Sequence, residues 1–125
     1  FMGSPVAHHT GFMYGVILSI VCGYKCVLLD VWDPGRAARL IESEQCTITF
    51  GSTPFLSDLV HEPSTRDCSL QSLRLFGRGG APIPSKLVAD SRERYPGLFV
   101  MSAFGMTEMG IVTATYPGDS VEKVL

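Results

Sequence analysis

Segments with the signals of helices alternate with short apolar runs along this chain, and this alternation restricts the possible folds most strongly. The runs 25–30 and 46–50 have the length and residue types of strands. Between them, Asp33 and Pro34 supply a capping side chain and a proline where a helix begins. Parallel strands need crossover connections. The sequence therefore predicts an α/β fold with a largely parallel sheet and helices on both faces. The predicted elements are helix 9–22, strand 25–30, helix 34–44, strand 46–50, helix 54–60, strand 73–76, helix 84–95 and strands 98–101 and 111–116.

Two of these elements are expected to be buried. Helix 9–22 is apolar on nearly every side and ends before Gly23, a residue common just past a helix end. The run 25–30 is continuously apolar, as in strands that are covered on both faces. The longest mostly apolar stretch, 12–22, is shorter than the roughly 17 to 25 residues that cross a bilayer, so no membrane span is predicted.

Composition excludes some classes of function. The 125 residues are enough for one domain, and they carry a net charge of -2 with no run of like charges. Nucleic-acid and polybasic membrane binding both need concentrated positive charge, so neither partner is expected. The spacing of Cys22, Cys26, Cys46 and Cys68 fits no metal site, and we expect reduced thiols in core positions of a cytoplasmic protein. Because the chain opens at Phe1, with neither an initiator Met in first place nor a signal-peptide pattern, we expect it to be a segment of a longer chain.

Glycine-rich and polar segments follow two of the predicted strands, at 77–82 and 102–110. Ligands of open parallel sheets bind beyond the carboxyl ends of the strands, so we expect the functional site there. In the second segment, the Thr107 hydroxyl suits a phosphate oxygen and the Glu108 carboxylate suits Mg²⁺. The alternative is an ordinary strand-to-helix turn in which these two residues cap a helix.

Three segments carry a resemblance to a known family. Phe-Gly-Met-Thr-Glu (104–108) is similar to the Tyr-Gly-Met-Thr-Glu signature of the adenylate-forming superfamily, which includes acyl-CoA synthetases, luciferases and peptide-synthetase adenylation domains. Pro-Val-Ala-His-His-Thr-Gly (5–11) resembles the family's Pro-Leu-Phe-His-x-x-Gly. Leu-Arg-Leu-Phe-Gly-Arg-Gly-Gly-Ala-Pro (73–82) resembles its Leu-Arg-x-x-x-x-Gly-Gly-Ala-Pro. The similarity spans essentially the whole chain and implies that residues 1–125 form one α/β subdomain of the family's large N-terminal domain.

The resemblance implies a nucleotide site built from two of these motifs. The nucleotide-binding residues would be Gly80, Ala81, Pro82, Ala103, Phe104, Gly105, Met106 and Thr107. Among them, Phe104 would stack on adenine in place of the usual Tyr, and the 80–82 turn would border adenine and part of the acyl pocket. Thr107 would hold the α-phosphate and Glu108 would bind Mg²⁺, and these two residues are the predicted catalytic pair.

The third motif would contact the acid. His8 would lie near the carboxyl end of the acid, and Gly11 would let the helix start pack near the substrate. The alternative for His8 is a histidine at the start of a helix that hydrogen-bonds to backbone. His9 and His61 match no motif, and a solvated or capping role is expected for both.

The activity that the resemblance implies has two steps. An acid and ATP form an acyl adenylate and pyrophosphate, and CoA then takes the acyl group. The ligands of the intact enzyme would be ATP or AMP, CoA, the acid and Mg²⁺. Its other partners would be the remaining domains of the parent chain. The family's phosphate loop and its ribose-binding Asp, hinge and C-terminal domain do not occur within 1–125, so we expect the isolated segment to be inactive.

The substrate and the acceptor stay open in part. Peptide-synthetase domains carry Phe-Asp-x-Ser where this chain has 5–11, and that Asp pairs with an ammonium group; a fatty, aromatic or alicyclic acid is favoured instead. Residues 4–15 are most similar to cyclohexanecarboxylate-type ligases. The alternatives are adenylate chemistry with an acceptor other than CoA, and a noncatalytic α/β ligand-binding or assembly module.

Overall fold

The computed structural model describes residues 1–119. The predicted domain range, 1–125, includes residues 120–125, which lie outside the described residues. The helices are α1, which consists of a π-helical stretch Gly11–Ile17 followed by Leu18–Cys22, then α2 (Pro34–Ser43), α3 (Thr53–His61), a 3₁₀ turn Pro63–Thr65, and α4 (Ser85–Arg94). The strands are β1 (Ile48–Gly51), β2 (Leu75–Arg78), β3 (Phe99–Met106) and β4 (Gly110–Ala114). None of the helices within 1–119 is long and apolar enough to cross a bilayer.

The four strands form one sheet in the order β1-β2-β3-β4. The first two pairings are parallel, and β3 and β4 form an antiparallel hairpin. Thr49, Phe76 and Val100 are aligned across the parallel strands, so their side chains share one face of the sheet. The next row of aligned residues, which includes Phe50, lies on the opposite face.

Helices cover both faces, as predicted. Helices α2, α3 and α4 pack together on the face of Phe76, where Ile41, Leu56 and Val88 are fully buried. On the other face, α1 reaches β1 through Tyr14, whose ring stacks on Phe50 with the centroids 4.9 Å apart. The predicted α/β class with a largely parallel sheet is therefore confirmed.

The start of α2 follows from the sequence. Asp33 lies in the extended region just before the helix, and its Oδ1 accepts a hydrogen bond of 2.6 Å from the Arg36 backbone N–H. This bond satisfies one of the amides that a helix start leaves without a partner. Ala37, Ala38 and Ile41 then bury the apolar side of the helix.

The predicted strand 25–30 is not part of the sheet. It forms a single parallel bridge, in which the Met2 N–H donates to the Val27 carbonyl (2.8 Å) and the Leu29 N–H donates to the Met2 carbonyl (3.0 Å). Leu29 is buried whereas Leu28 is 50% exposed. The segment is therefore covered on one face, and its apolar run reflects a half-buried edge rather than a central strand.

Burial of α1 was also predicted and is wrong for this chain. Ile20 and Val21 are 72% and 75% exposed, and Gly11 and Gly15 are the buried residues of the helix. The reason is geometric, because α1 meets the sheet at the edge strand β1 through its first turns.

The expected end of α1 at Gly23 is confirmed by a left-handed φ of 68°. Cys22 at this end of the helix is exposed, so the prediction that the cysteines occupy core positions is wrong for Cys22.

The two segments expected to be turns are partly strand. β2 continues through Gly77 and Arg78, and β3 continues through Met106 before the chain reverses into β4. The predicted strand 111–116 is this returning strand, and it runs antiparallel. Thr107 thus lies in a hairpin turn, and the alternative in which it caps a helix is excluded.

Candidate functional site

A cavity of about 610 Å³ lies against the face of Phe50 at the carboxyl ends of the three parallel strands. Its walls come from the segment before α1, the end of β1, the turn after β2 and the β3-β4 hairpin. The seven residues that it brings together from the predicted site are His8, Gly80, Ala81, Ala103, Gly105, Met106 and Thr107. All three motifs are represented among them, and this edge of the sheet is where an open α/β fold binds its ligands.

Four predicted site residues do not line this cavity. Phe104 is 62% exposed, and it lies one residue from the cavity-lining Ala103 along an extended strand, hence on the other face. Pro82 lies just beyond the lining part of the turn, and Glu108 is exposed at the tip of the hairpin. Gly11 is buried against the backbone that precedes α1. A Cβ at this position would lie 2.2 Å from the Pro5 carbonyl oxygen.

Two glycines shape the wall formed by β2 and its turn. Gly77 lies directly beneath the Phe50 ring, and a Cβ at this position would be 2.4 Å from Cδ1 of the ring. Gly80 has a φ of 84°, a conformation that glycine adopts readily and other residues rarely. The backbone at Gly79 and Gly80 is therefore accessible from the cavity, since neither residue has a side chain to block a ligand.

The hairpin that carries Thr107 closes through a third glycine. A Cβ at Gly105 would lie 2.2 Å from the Gly110 carbonyl oxygen across the hairpin. The Met109 N–H donates to the Met106 carbonyl over 3.2 Å and completes the turn. Close approach of the two strands thus fixes where the Thr107 hydroxyl lies at the cavity rim.

His8 has a defined hydrogen bond. Its Nδ1 accepts from the Thr10 backbone N–H over 3.2 Å, as the backbone-bonded alternative expects, and the residue also lines the cavity. With Nδ1 acting as acceptor, the neutral ring carries its hydrogen on Nε2, which is then a donor. His9 also lines the cavity and packs edge-on against Tyr14, with the ring centroids 5.8 Å apart. His61, by contrast, ends α3 and hydrogen-bonds to Asp90.

Arg78 is a site residue that the sequence reasoning missed. The residue is only 5% exposed, and it lies in the cavity wall next to the turn that follows β2. Its Nη1 donates to the Ala81 carbonyl (2.7 Å) and its Nη2 to the Ser102 hydroxyl (2.5 Å). Burial lowers the pKa of the guanidinium from its ordinary value. The sequence feature that could have identified Arg78 is an arginine between two glycines at the end of a buried strand.

The acidic groups around the cavity decide how a metal could bind. No Asp or Glu lines the cavity within the described residues, and the same part of the chain contains no group of three side chains suited to a metal ion. Mg²⁺ often binds through one or two carboxylates together with substrate phosphates. Glu108, directly after the cavity-lining Thr107, fits as a single ligand of this kind.

An open, largely parallel α/β sheet with a glycine-lined cavity at the carboxyl ends of its strands is typical of nucleotide-binding proteins, and the comparisons agree with this class. The family model described as AMP-binding enzyme matches residues 1–124, so the chain belongs to that family. It is 36% identical over 107 residues to the medium-chain fatty-acid–CoA ligase of Escherichia coli (strain K12), which covers 86% of this chain and 19% of that protein. The chain thus spans about a fifth of the length of this curated relative.

Solved structures give the same result. The amide bond synthetase McbA from Marinactinospora thermotolerans is 28% identical with a TM-score of 0.84, over 98% of this chain and 25% of that one. The o-succinylbenzoate CoA synthetase (MenE) from Bacillus subtilis, solved in complex with AMP, is 27% identical with a TM-score of 0.84, over 98% and 24%. The resemblance inferred from the three motifs is therefore confirmed.

Proposed function

We propose that this chain is the part of an AMP-forming acid–CoA ligase that contacts the nucleotide and the acid, and that residues 1–125 form one α/β subdomain of a larger AMP-binding domain. The observation that carries the proposal is the single cavity lined by His8, by Gly80 and Ala81, and by Thr107. These residues come from three motifs far apart in sequence, and the sheet brings them to one edge. The intact protein acts as the enzyme, whereas this segment alone is inactive.

The residues at the cavity would act by holding the reactants. The Thr107 hydroxyl donates to the α-phosphate of ATP, and Nε2–H of His8 donates to the acid carboxylate. A carboxylate oxygen then attacks the α-phosphorus, and the bond to pyrophosphate breaks. The thiol sulfur of CoA next attacks the acyl carbon, the bond to AMP breaks, and the thiol proton is lost. Positioning and charge stabilisation supply the catalysis, with no covalent intermediate on the protein.

The family's metal and the adenine contact complete the proposal. Mg²⁺ on Glu108 would offset phosphate charge, as a single carboxylate and the nucleotide phosphates together suffice to hold it. Phe104 would stack on adenine together with the backbone of the 80–82 turn. Because Phe104 is mostly exposed and one residue off the cavity wall, this contact requires the nucleotide base to reach across the strand.

The cavity favours an acid with an apolar body. Tyr14, Phe50, Phe55 and Met101 contribute apolar surface to its lining. A buried ammonium group needs a charged or hydrogen-bonding partner, and no carboxylate lines the cavity within the described residues. A fatty, aromatic or alicyclic acid fits these surroundings better than an amino acid. The related E. coli ligase is named for a medium-chain fatty acid, which agrees with this class.

A second candidate differs only in the acceptor. The structural neighbour McbA is named an amide bond synthetase, so an amine in place of CoA is the specific alternative. Mixing the acid, ATP and the full-length protein with CoA or with amines, and following thioester and amide formation by mass spectrometry, separates the two. Thioester with CoA and no amide supports the ligase; amide alone refutes CoA as the acceptor.

The test of adenylation uses acid-dependent pyrophosphate release by the full-length protein, with Thr107→Ala as the variant. Thr113→Ala is the matched control, because Thr113 is exposed in the same hairpin and does not line the cavity. Removal of a charge-assisted donor to the phosphate should lower kcat/KM by roughly 10²-fold. The control should stay within about twofold of the wild type. Equal activity of the two variants would refute the role of Thr107.

A further inference from the structure

Arg78 lies at the junction of the two segments that would hold the nucleotide. It is the last residue of β2, directly before the turn at 79–81, and it is aligned with Ser102 of the neighbouring β3. The residue is 5% exposed. Arginine is rarely buried to this degree, because its donors then need protein acceptors in fixed directions.

The hydrogen bonds of Arg78 connect the turn to the hairpin. One guanidinium nitrogen donates to the Ala81 carbonyl and the other to the Ser102 hydroxyl. Ser102 is itself fixed to the end of the hairpin, since its N–H donates to the Thr115 hydroxyl (2.9 Å) and its carbonyl accepts from the Thr115 N–H (2.9 Å). A continuous series of bonds thus extends from the turn through Arg78 to the base of the hairpin.

We infer that Arg78 is a positioning residue, which fixes the turn at 79–81 relative to the hairpin that carries Thr107; the role rests on the proposed function, in which these two segments hold the nucleotide. Gly79 and Gly80 have no side chains that could restrain the backbone of this turn. The guanidinium supplies that restraint from below while it leaves the cavity side of the turn open.

The chemistry of the side chain suits this role. A guanidinium presents several donors in a rigid plane, so it bridges two acceptors on different segments at once. A lysine at the same position presents one flexible ammonium group and holds one of the two acceptors well. Loss of the two hydrogen bonds of Arg78 should therefore weaken the binding of the nucleotide more than the binding of the acid, because the acid makes mostly apolar contacts.

The experiment measures AMP affinity by calorimetry in the full-length protein, for Arg78→Met, Arg78→Lys and Ser102→Ala. Arg74→Met is the matched control, because Arg74 is exposed just before the same strand. We expect the Kd for AMP to rise about tenfold or more in Arg78→Met. We expect a rise of about threefold in Arg78→Lys and Ser102→Ala, and a change within about twofold in the control. The KM for ATP should rise while the KM for the acid stays constant.

The outcomes separate this role from the proposed function and from a loss of folding. A wild-type protein that binds no AMP overturns the proposed function and the role together. If the wild type binds AMP and the folded Arg78→Met variant binds it with the same Kd, the role alone is overturned. An equal rise of the KM for ATP and the KM for the acid in this variant also overturns the role. If thermal melting shows that Arg78→Met does not fold, Ser102→Ala decides, because it removes one acceptor and leaves Arg78 in place. An unchanged Kd in that variant also overturns the role.

Discussion

Substitution of Gly105 by Ala perturbs the closest contact between the two strands of the hairpin. The added Cβ would lie 2.2 Å from the Gly110 carbonyl oxygen and 3.0 Å from the Ile111 Cα, both of which are backbone atoms. A carbon and a carbonyl oxygen in contact need about 3.3 Å. The two strands therefore have to separate by about 1.1 Å, the difference between 3.3 Å and the 2.2 Å found here. No rotation of a side chain can relieve this clash.

The displaced hairpin carries Thr107, so the effect should appear in catalysis. A misplacement of about 1 Å costs roughly 10²-fold in rate when catalysis depends on positioning. Acid-dependent pyrophosphate release by the full-length Gly105→Ala variant should accordingly show kcat/KM lowered by about 10²-fold. Overpacking should also lower the free energy of unfolding by about 1–3 kcal/mol.

Gly97→Ala is the matched control for this experiment. Gly97 has open space where its Cβ would be and is outside the left-handed region. The control should keep activity within about twofold of the wild type. Gly105→Ala with the activity of Gly97→Ala would refute the reasoning, since it would show that the hairpin geometry does not limit the reaction.

Two further predictions concern stability. Gly11→Ala places a Cβ 2.2 Å from the Pro5 carbonyl oxygen and should lower the free energy of unfolding by about 1–3 kcal/mol, so an unchanged urea midpoint would contradict the packing described. The half-buried Asp90 carboxylate accepts hydrogen bonds from Lys86 and His61, which hold its pKa below the ordinary value of 3.8. A pKa lowered in the folded state stabilises the fold above the unfolded-state pKa, and this stabilisation is lost as the pH falls through the folded-state pKa. Asp90→Asn should therefore lose less stability than the wild type on acidification from about pH 6 to pH 2 in urea titrations, and equal losses would argue against these contacts.

Elements with strong local signals were predictable from the sequence. The capping Asp33 and the following Pro34 located α2 closely, and Gly23 located the end of α1. The alternation of helices and strands gave the parallel core of the sheet. Six of the predicted residues that line the cavity belong to the three motifs, and the seventh, Ala103, directly precedes one of them. Recognising a motif needs only the sequence, and the site of ligand binding follows from the carboxyl ends of the predicted strands.

Properties that depend on neighbours in space were not predictable in the same way. Residues 25–30 have the composition of a buried strand, but sequence does not show that, within 1–119, their strand-like pairing is limited to Met2. Likewise, the apolar character of α1 does not reveal that it meets the sheet at an edge. The burial of Arg78 depends on acceptors at Ala81 and Ser102, and the second lies 24 residues away along the chain.

The location of bound AMP is the most direct test of the account. Crystals of the full-length protein soaked with AMP should show the phosphate within hydrogen-bond distance of the Thr107 hydroxyl and the base against the backbone of Gly80 and Ala81. Density for AMP at any other part of the molecule, with this cavity empty, would contradict the central claim.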